Sequence, residues 1–211
     1  MYFVGIAGGS GSGKTTFARR VLELVQSTPG IDPSDIALLT QDHYYVPALP
    51  DHLRHEQRGN FDHPEALDWK LIREHFRMLK ENGTVDVPVY DYKVSRRTGD
   101  TFSLGPVKAL LVEGIFALWD EEIRKLYNLK VYLDVAADIR FIRRLHRDIH
   151  ERQRSVESVI GQYYATVRPM HREFVDPTHQ FADLIVGEEN TVSAEVVAAK
   201  VKDVILGIKS E

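Results

Sequence analysis

Eight residues near the amino terminus, Gly8-Gly9-Ser10-Gly11-Ser12-Gly13-Lys14-Thr15, restrict this chain to a narrow set of folds. The pattern Gly-x4-Gly-Lys-Thr puts glycines where a Cβ would forbid the backbone angles, so consecutive N–H groups turn inward around a polyphosphate. Lys14 reaches the β and γ phosphates in such a loop, and the Thr15 hydroxyl holds Mg²⁺. Upstream, Tyr2-Phe3-Val4-Gly5-Ile6-Ala7 reads as a short apolar strand; downstream, Thr15 to Val25 reads as a helix. Strand, loop and helix in that order are what a phosphate cradle requires, and the chain is expected to bind a nucleoside triphosphate.

The 211 residues, 43% of them hydrophobic, suffice for one sizeable core, and a single domain over 1–211 is expected. A formal charge of −4 argues against a general polyanion-binding surface, so no nucleic-acid partner is expected. With no cysteine there is neither a disulfide framework nor a thiolate metal site or nucleophile. Met1 runs directly into the first strand, and no apolar run approaches the roughly 18 residues of a membrane span. These features point to a cytoplasmic protein with no membrane partner.

Further along, Ile36-Ala37-Leu38-Leu39-Thr40 is a second apolar strand, followed by a polar, irregular segment to about Pro64. Long loops of this kind are more often functional than idle. From Glu65 to Asn82, Trp69, Ile72, Phe76 and Leu79 recur at helical spacing and predict a core-facing helix stopped by Asn82-Gly83. Val85 to Tyr92 alternates like a strand, Lys93 to Asp100 is polar, and Thr101 to Leu104 is again extended, which predicts a hairpin over about 84–105. Strands at Val107 to Gly114 and Leu129 to Asp134 flank a helix expected from Trp119 to Tyr127. An arginine-rich helix and turn follow from Asp138 to Arg154, then a helix from Ser155 to Phe174, a strand from Ala182 to Val186 and a closing helix from Val192 to Ile208. Alternating strands and helices imply an α/β fold: a parallel sheet with helices on both faces and ligands at the strands' carboxyl ends.

Three groups carry chemistry beside the cradle. Glu113 ends an apolar strand, where one carboxylate beside Thr15 suffices for a hard cation that keeps its phosphate and water ligands. Asp42 also follows a strand and is placed to accept the proton of an attacking hydroxyl; the bland alternative is a turn-forming Asp. The arginines of 138–154, Arg140, Arg143, Arg144, Arg147, Arg152 and Arg154, admit three readings. They form a solvated face paired to Asp138, Asp148 and Glu151, a short basic patch, or a lid over about 138–175 that supplies guanidinium donors and excludes water. His146 and His150 are spaced for a metal on one helix face, but no Glu-x-x-His frame accompanies them.

Several blocks in one order resemble the uridine/cytidine kinase family of P-loop kinases: Gly8 to Thr16, Gln41-Asp42-His43-Tyr44-Tyr45, Asn60-Phe61-Asp62-His63-Pro64, Pro88-Val89-Tyr90-Asp91-Tyr92, Val112-Glu113-Gly114-Ile115, Arg143-Arg144-x-x-Arg147-Asp148, Glu151-Arg152-x-Arg154, Gln162-Tyr163 and Val167-Arg168-Pro169-Met170. The resemblance implies ATP-dependent, Mg²⁺-assisted phosphorylation of uridine or cytidine at the 5′-hydroxyl, with ATP or GTP as donor, and a homotetramer. It makes Asp42 the general base and Asp62 the ribose ligand, assisted by Arg144 and Gln162. Tyr45 and Tyr90 contact the pyrimidine with Tyr92 close by, Arg154 touches the nucleoside, and Arg147 and Arg152 meet the phosphates. A hairpin edge from Val85 to Tyr92 is a candidate for contacts between subunits.

Three positions depart from the family pattern. Ser95 stands where many members have a base-reading His, Gln153 where the lid turn has Gly, and Val186-Gly187-Glu188-Glu189 where Pro-Arg-Gly is usual before Asn190. Related phosphoribulokinase and pantothenate kinase families imply an alternative acceptor, another nucleoside or a small alcohol. A nucleotide-dependent switch is a third reading, but the Asn-Lys-x-Asp base reader of guanine-specific switches is absent from the sequence.

Overall fold

The computed structural model describes residues 1–54, 59–81, 83–91 and 96–208. Tyr92 and Ser95 lie outside the described residues, as does Asn82. Strands β1 (Tyr2–Gly8), β2 (Ile36–Thr40), β5 (Ala109–Glu113), β6 (Leu129–Leu133) and β7 (Leu184–Val186) form one parallel sheet in the order β2-β5-β1-β6-β7. Strands β3 (Val85–Asp91) and β4 (Arg96–Leu104) pair antiparallel as a separate two-stranded sheet. Alternate residues of β1 and β5 feed two different cores, which is why these strands read as unbroken apolar runs. Phe3, Ala7, Leu110 and Val112 face one core; Val4, Ile6, Ala109 and Leu111 face the other.

Helix α1 (Lys14–Gln26) and helix α7 (Thr191–Leu206) cover the second core through Phe17, Ala18, Val21, Val25, Ala194, Val197, Ala198, Val201 and Ile205. Helix α2 (Trp69–Glu81) and the β3–β4 hairpin cover the first, with Ile72, Phe76, Leu79, Val85, Val87, Tyr90 and Leu104 buried. Each such side chain contributes roughly 1.5–3 kcal/mol by leaving water. Strand β3 buries Val85, Val87 and Tyr90 in this core.

Several element boundaries differ from the expected ones. Helix α2 starts at Trp69, not Glu65: Pro64–Ala66 is a 3-10 turn capped by His63, and the Asp68 carboxylate caps the helix by accepting the Leu71 N–H at 3.1 Å. The second hairpin strand begins at Arg96, well before Thr101, since polar residues suffice on an exposed strand paired to β3. Between Trp119 and Tyr127 only one helical turn forms, α3 (Glu121–Arg124), capped by Asp120. The helix expected from Ser155 is a run of α5 (Val156–Gln162), a π turn at Tyr163–Val167, α6 (Arg168–Met170) and a second π turn at His171–Val175. Pro169 has no N–H to give to a regular ladder, and the π turns flank it.

Candidate active site

The cradle, Thr40 and Glu113 meet because three strands end side by side. Glu113 of β5 is in register with Ile6 on one flank and Thr40 on the other, so the loop after β1 and the turn after β2 open on the same edge. Gly13 caps α1 in the left-handed region at φ 91°, and a Cβ built there would meet nothing within 4 Å, leaving open space above the loop. Gly11 at φ 82° is held differently: a Cβ there would lie 2.2 Å from the Arg140 carbonyl oxygen, so helix α4 (Ala137–His150) packs directly on the loop. Ser12 N–H donates to the Gly9 carbonyl at 3.0 Å and closes the turn. Gly8, Gly9 and Ser10 complete the cradle, and Thr16 lies exposed one residue after Thr15 in the first turn of α1.

Lys14 is buried and donates from Nζ to the Gly9 carbonyl at 3.1 Å. Burial pushes its ammonium below the ordinary value; the Glu113 and Asp42 carboxylates oppose that shift, and Arg147 and Arg140 reinforce it. Counting Lys14 itself, three cations face two carboxylates here, a balance that suits a polyanion in the cradle. The Thr15 hydroxyl donates to Glu113 Oε1 at 3.1 Å, and Thr40 donates to the same oxygen at 2.7 Å. Two hard oxygen donors, one of them on exposed Thr15, fit a small divalent cation shared with phosphates. Asp42 sits in the 3-10 turn Gln41–Tyr44, directly after β2, and that turn is pinned by Phe116 N–H donating to Gln41 Oε1 at 3.2 Å.

The arginines gather around one carboxylate. Asp148 is fully buried; its Oδ1 accepts from Arg147 at 2.8 and 3.0 Å, its Oδ2 accepts from Arg154 at 2.9 Å, and Arg144 and Arg152 approach to 3.7 Å. Burial alone would raise the Asp148 carboxyl, but Arg144 and Arg147 together hold it below the ordinary carboxylate value. The sequence offers Asp148 only as one of several partner acids beside Asp138 and Glu151, and its role as the hub has no local signal that separates it from them. Arg144 also donates to Ser10 Oγ at 2.8 Å and to Gln162 Oε1 at 3.0 Å, while Arg154 donates to Gln162 at 2.7 Å. The cradle, α4 and α5 are thus wired together. Arg143, by contrast, points away, to Glu188 at 2.6 Å in the segment after β7.

Two further groups complete the cleft. Asp62 Oδ2 accepts from the Thr166 hydroxyl at 3.2 Å, joining the loop before α2 to the π turn after α5. Tyr45 packs against Tyr90 and Phe61, each at 5.2 Å between ring centroids. His171, which the sequence reading did not single out, lies against Gly9 and Arg140. Burial, then the Arg140 charge, pushes its imidazole down to about 4, so it stands neutral beside the cradle at neutral pH.

The turn after α4 bears on one departure from the family pattern. Gln153 adopts φ 53°, keeping the left-handed backbone that glycine takes without strain. Gln153→Gly is expected to stabilise the protein by about 1 kcal/mol, read as a higher urea midpoint at unchanged slope. An equal or lower midpoint would show that the turn carries no strain.

The family model described as phosphoribulokinase / uridine kinase family matches residues 3–195. The chain is 42% identical to a uridine kinase of Lactobacillus johnsonii over 208 residues, covering 98% of this chain and 96% of that one. It is 44% identical to a uridine kinase of Geobacillus kaustophilus over 206 residues, 96% and 94% of the two chains. Among solved structures, a phosphoribulokinase from Rhodobacter spheroides superposes with a TM-score of 0.65 at 16% identity, over 88% of this chain and 69% of that one, a likeness of fold.

Proposed function

The chain belongs to the phosphoribulokinase/uridine kinase family, and from that membership we propose that it transfers the γ-phosphoryl group of ATP to the 5′-hydroxyl of uridine or cytidine. The single observation that carries the reading is the Glu113 carboxylate, whose Oε1 accepts from Thr15 of the cradle at 3.1 Å and from Thr40, two residues before Asp42, at 2.7 Å; this supports a cation-holding acid beside the cradle with an acid for the acceptor next to it. Gly8 to Thr16 hold the donor phosphates through backbone N–H groups, with Lys14 on the β and γ oxygens. Thr15 and Glu113 would hold Mg²⁺, which would supply charge neutralisation at the transferring group. Asp42 orients the 5′-hydroxyl and takes its proton. The transition state for phosphoryl transfer is loose, so the proton leaves late and alignment matters at least as much as basicity.

Asp62 receives the two ribose hydroxyls, a role supported by the Thr166 hydroxyl that already occupies one of its oxygens in the same way. Arg144 and Gln162, hydrogen-bonded to each other, assist it, and Arg154 reaches the nucleoside from the same cluster. Tyr45 and Tyr90 line the base, with Tyr92 and Ser95 beyond Asp91. Arg147 and Arg152 leave Asp148 in part to meet the phosphates, so that the segment of about 138–175 acts as a lid.

A panel of nucleosides, assayed for ADP release from ATP with Mg²⁺, tests this reading. Uridine and cytidine are expected to raise ADP release well above the rate with ATP alone. A flat response across the panel overturns the function. In the same panel Ser95→His is expected to sharpen the preference for uridine and cytidine over purine nucleosides, because a serine hydroxyl reaches a base edge only through water. An unchanged ratio would remove position 95 from the base pocket.

A further inference from the structure

The loop that carries Asp62 also carries ligating groups that phosphoryl transfer leaves unused. His52 lies in the single turn Asp51–Leu53, while His63 and Glu65 bracket Pro64 at the start of the next turn. One donor atom from each of the three lies within 4.8 Å of the others, and among the described residues no other group of His, Cys, Asp or Glu converges in this way. His52 Nε2 stands 3.1 Å from a Glu65 carboxylate oxygen. The backbone brings them together: Asn60 N–H donates to the Leu53 carbonyl at 2.8 Å, and Arg54 pairs antiparallel with Gly59. Behind them the His63 ring is braced edge-on by Phe174 at 4.8 Å between centroids.

We propose that His52, His63 and Glu65 form a binding site for a transition-metal dication of the zinc class, clasping the two ends of the Asp62 loop. Two imidazoles and a carboxylate are a donor set suited to zinc, with a fourth position left to water. At zinc–nitrogen distances of about 2.0–2.1 Å, tetrahedral neighbours sit about 3.4 Å apart. The His52–Glu65 pair already meets that spacing, and both side chains are exposed and can turn toward His63. Besides replacing the His52–Glu65 contact, binding gives up one hydrogen bond: His63 Nδ1 accepts the Glu65 N–H at 3.2 Å. That bond is lost whichever ring nitrogen takes the metal, because Nε2 ligation puts the proton on Nδ1. Mg²⁺ prefers an all-oxygen shell and does not compete here. His146 and His150, with ring centroids 4.3 Å apart on α4, offer two imidazoles and are the rival location.

The test uses the full, untagged chain without nucleotide, titrated with Co²⁺ as a coloured stand-in and then with Zn²⁺. The expected result is one equivalent of Co²⁺ with the visible bands of low coordination, displaced by Zn²⁺, and a melting temperature raised by Zn²⁺. His52→Ala and Glu65→Gln are each expected to weaken binding about tenfold or more and to abolish the thermal shift, while His146→Ala leaves both unchanged. Both altered side chains are exposed, and melting without metal checks that each variant folds. Absence of binding, binding unchanged by His52→Ala and Glu65→Gln, or binding lost with His146→Ala overturns the site. No turnover is measured, so the outcome is independent of the kinase reading.

Discussion

Asp42→Asn is expected to fold, to bind ATP as before and to turn over about 10²- to 10⁴-fold more slowly. The amide keeps the size of the side chain and much of its hydrogen bonding, but it cannot take the hydroxyl proton. The turn that carries it is held by its neighbours, through Gln41 to Phe116 and through Tyr44, whose hydroxyl meets His75 Nδ1 at 3.0 Å, so the loss is chemical and not structural. Single-turnover measurements with saturating ATP and nucleoside separate this step from product release. Near-normal turnover in Asp42→Asn would take Asp42 out of the base role and leave it as a turn residue.

Asp148→Asn is expected to cost about 3–5 kcal/mol of stability, because Arg144 and Arg154, both with buried side chains, lose the carboxylate that compensates them. Urea unfolding of the two proteins side by side measures this. Its pH dependence has a definite sign. The folded Asp148 carboxyl lies below its ordinary value of 3.8, so its stabilisation is complete above that pH and fades as the pH falls through the lower folded value. The gap between wild type and variant should therefore narrow below pH 3.8. His171 acts earlier: with its folded value near 4 against an ordinary 6.5, stability common to both proteins drains away as the pH falls between those limits. A difference of less than about 1 kcal/mol at neutral pH would mean that the arginines find water or other partners as good as Asp148.

Much of this architecture was legible in the residues themselves. The cradle announces itself because its geometry depends on glycine and lysine at fixed spacing, and the strands of the main sheet because burial on both faces leaves only apolar runs. Less legible were features that depend on a distant partner. Arg96 and Arg97 belong to a polar stretch, yet they are strand because Asp91 and Tyr90 of β3 pair with them. Trp119 to Tyr127 has helical composition but yields one turn, since Arg124 is drawn back to donate to the carbonyls of Leu118 and Trp119. The Thr166–Asp62 contact joins residues 104 positions apart, and no local pattern encodes it. Gln153 is a converse case: the residue type argues against a left-handed turn, and the hydrogen bonds around Asp148 impose one.

The position of β5 between β1 and β2 has a consequence for distance. The donor cradle follows one outer strand of this trio and Asp42 follows the other, so their separation is a multiple of the strand spacing, two gaps of about 4.8 Å each. The sheet serves as a ruler, fixing how far Asp42 stands from the cradle. Loops and hairpin can then vary in sequence while the gap between the two strand ends stays as β5 sets it.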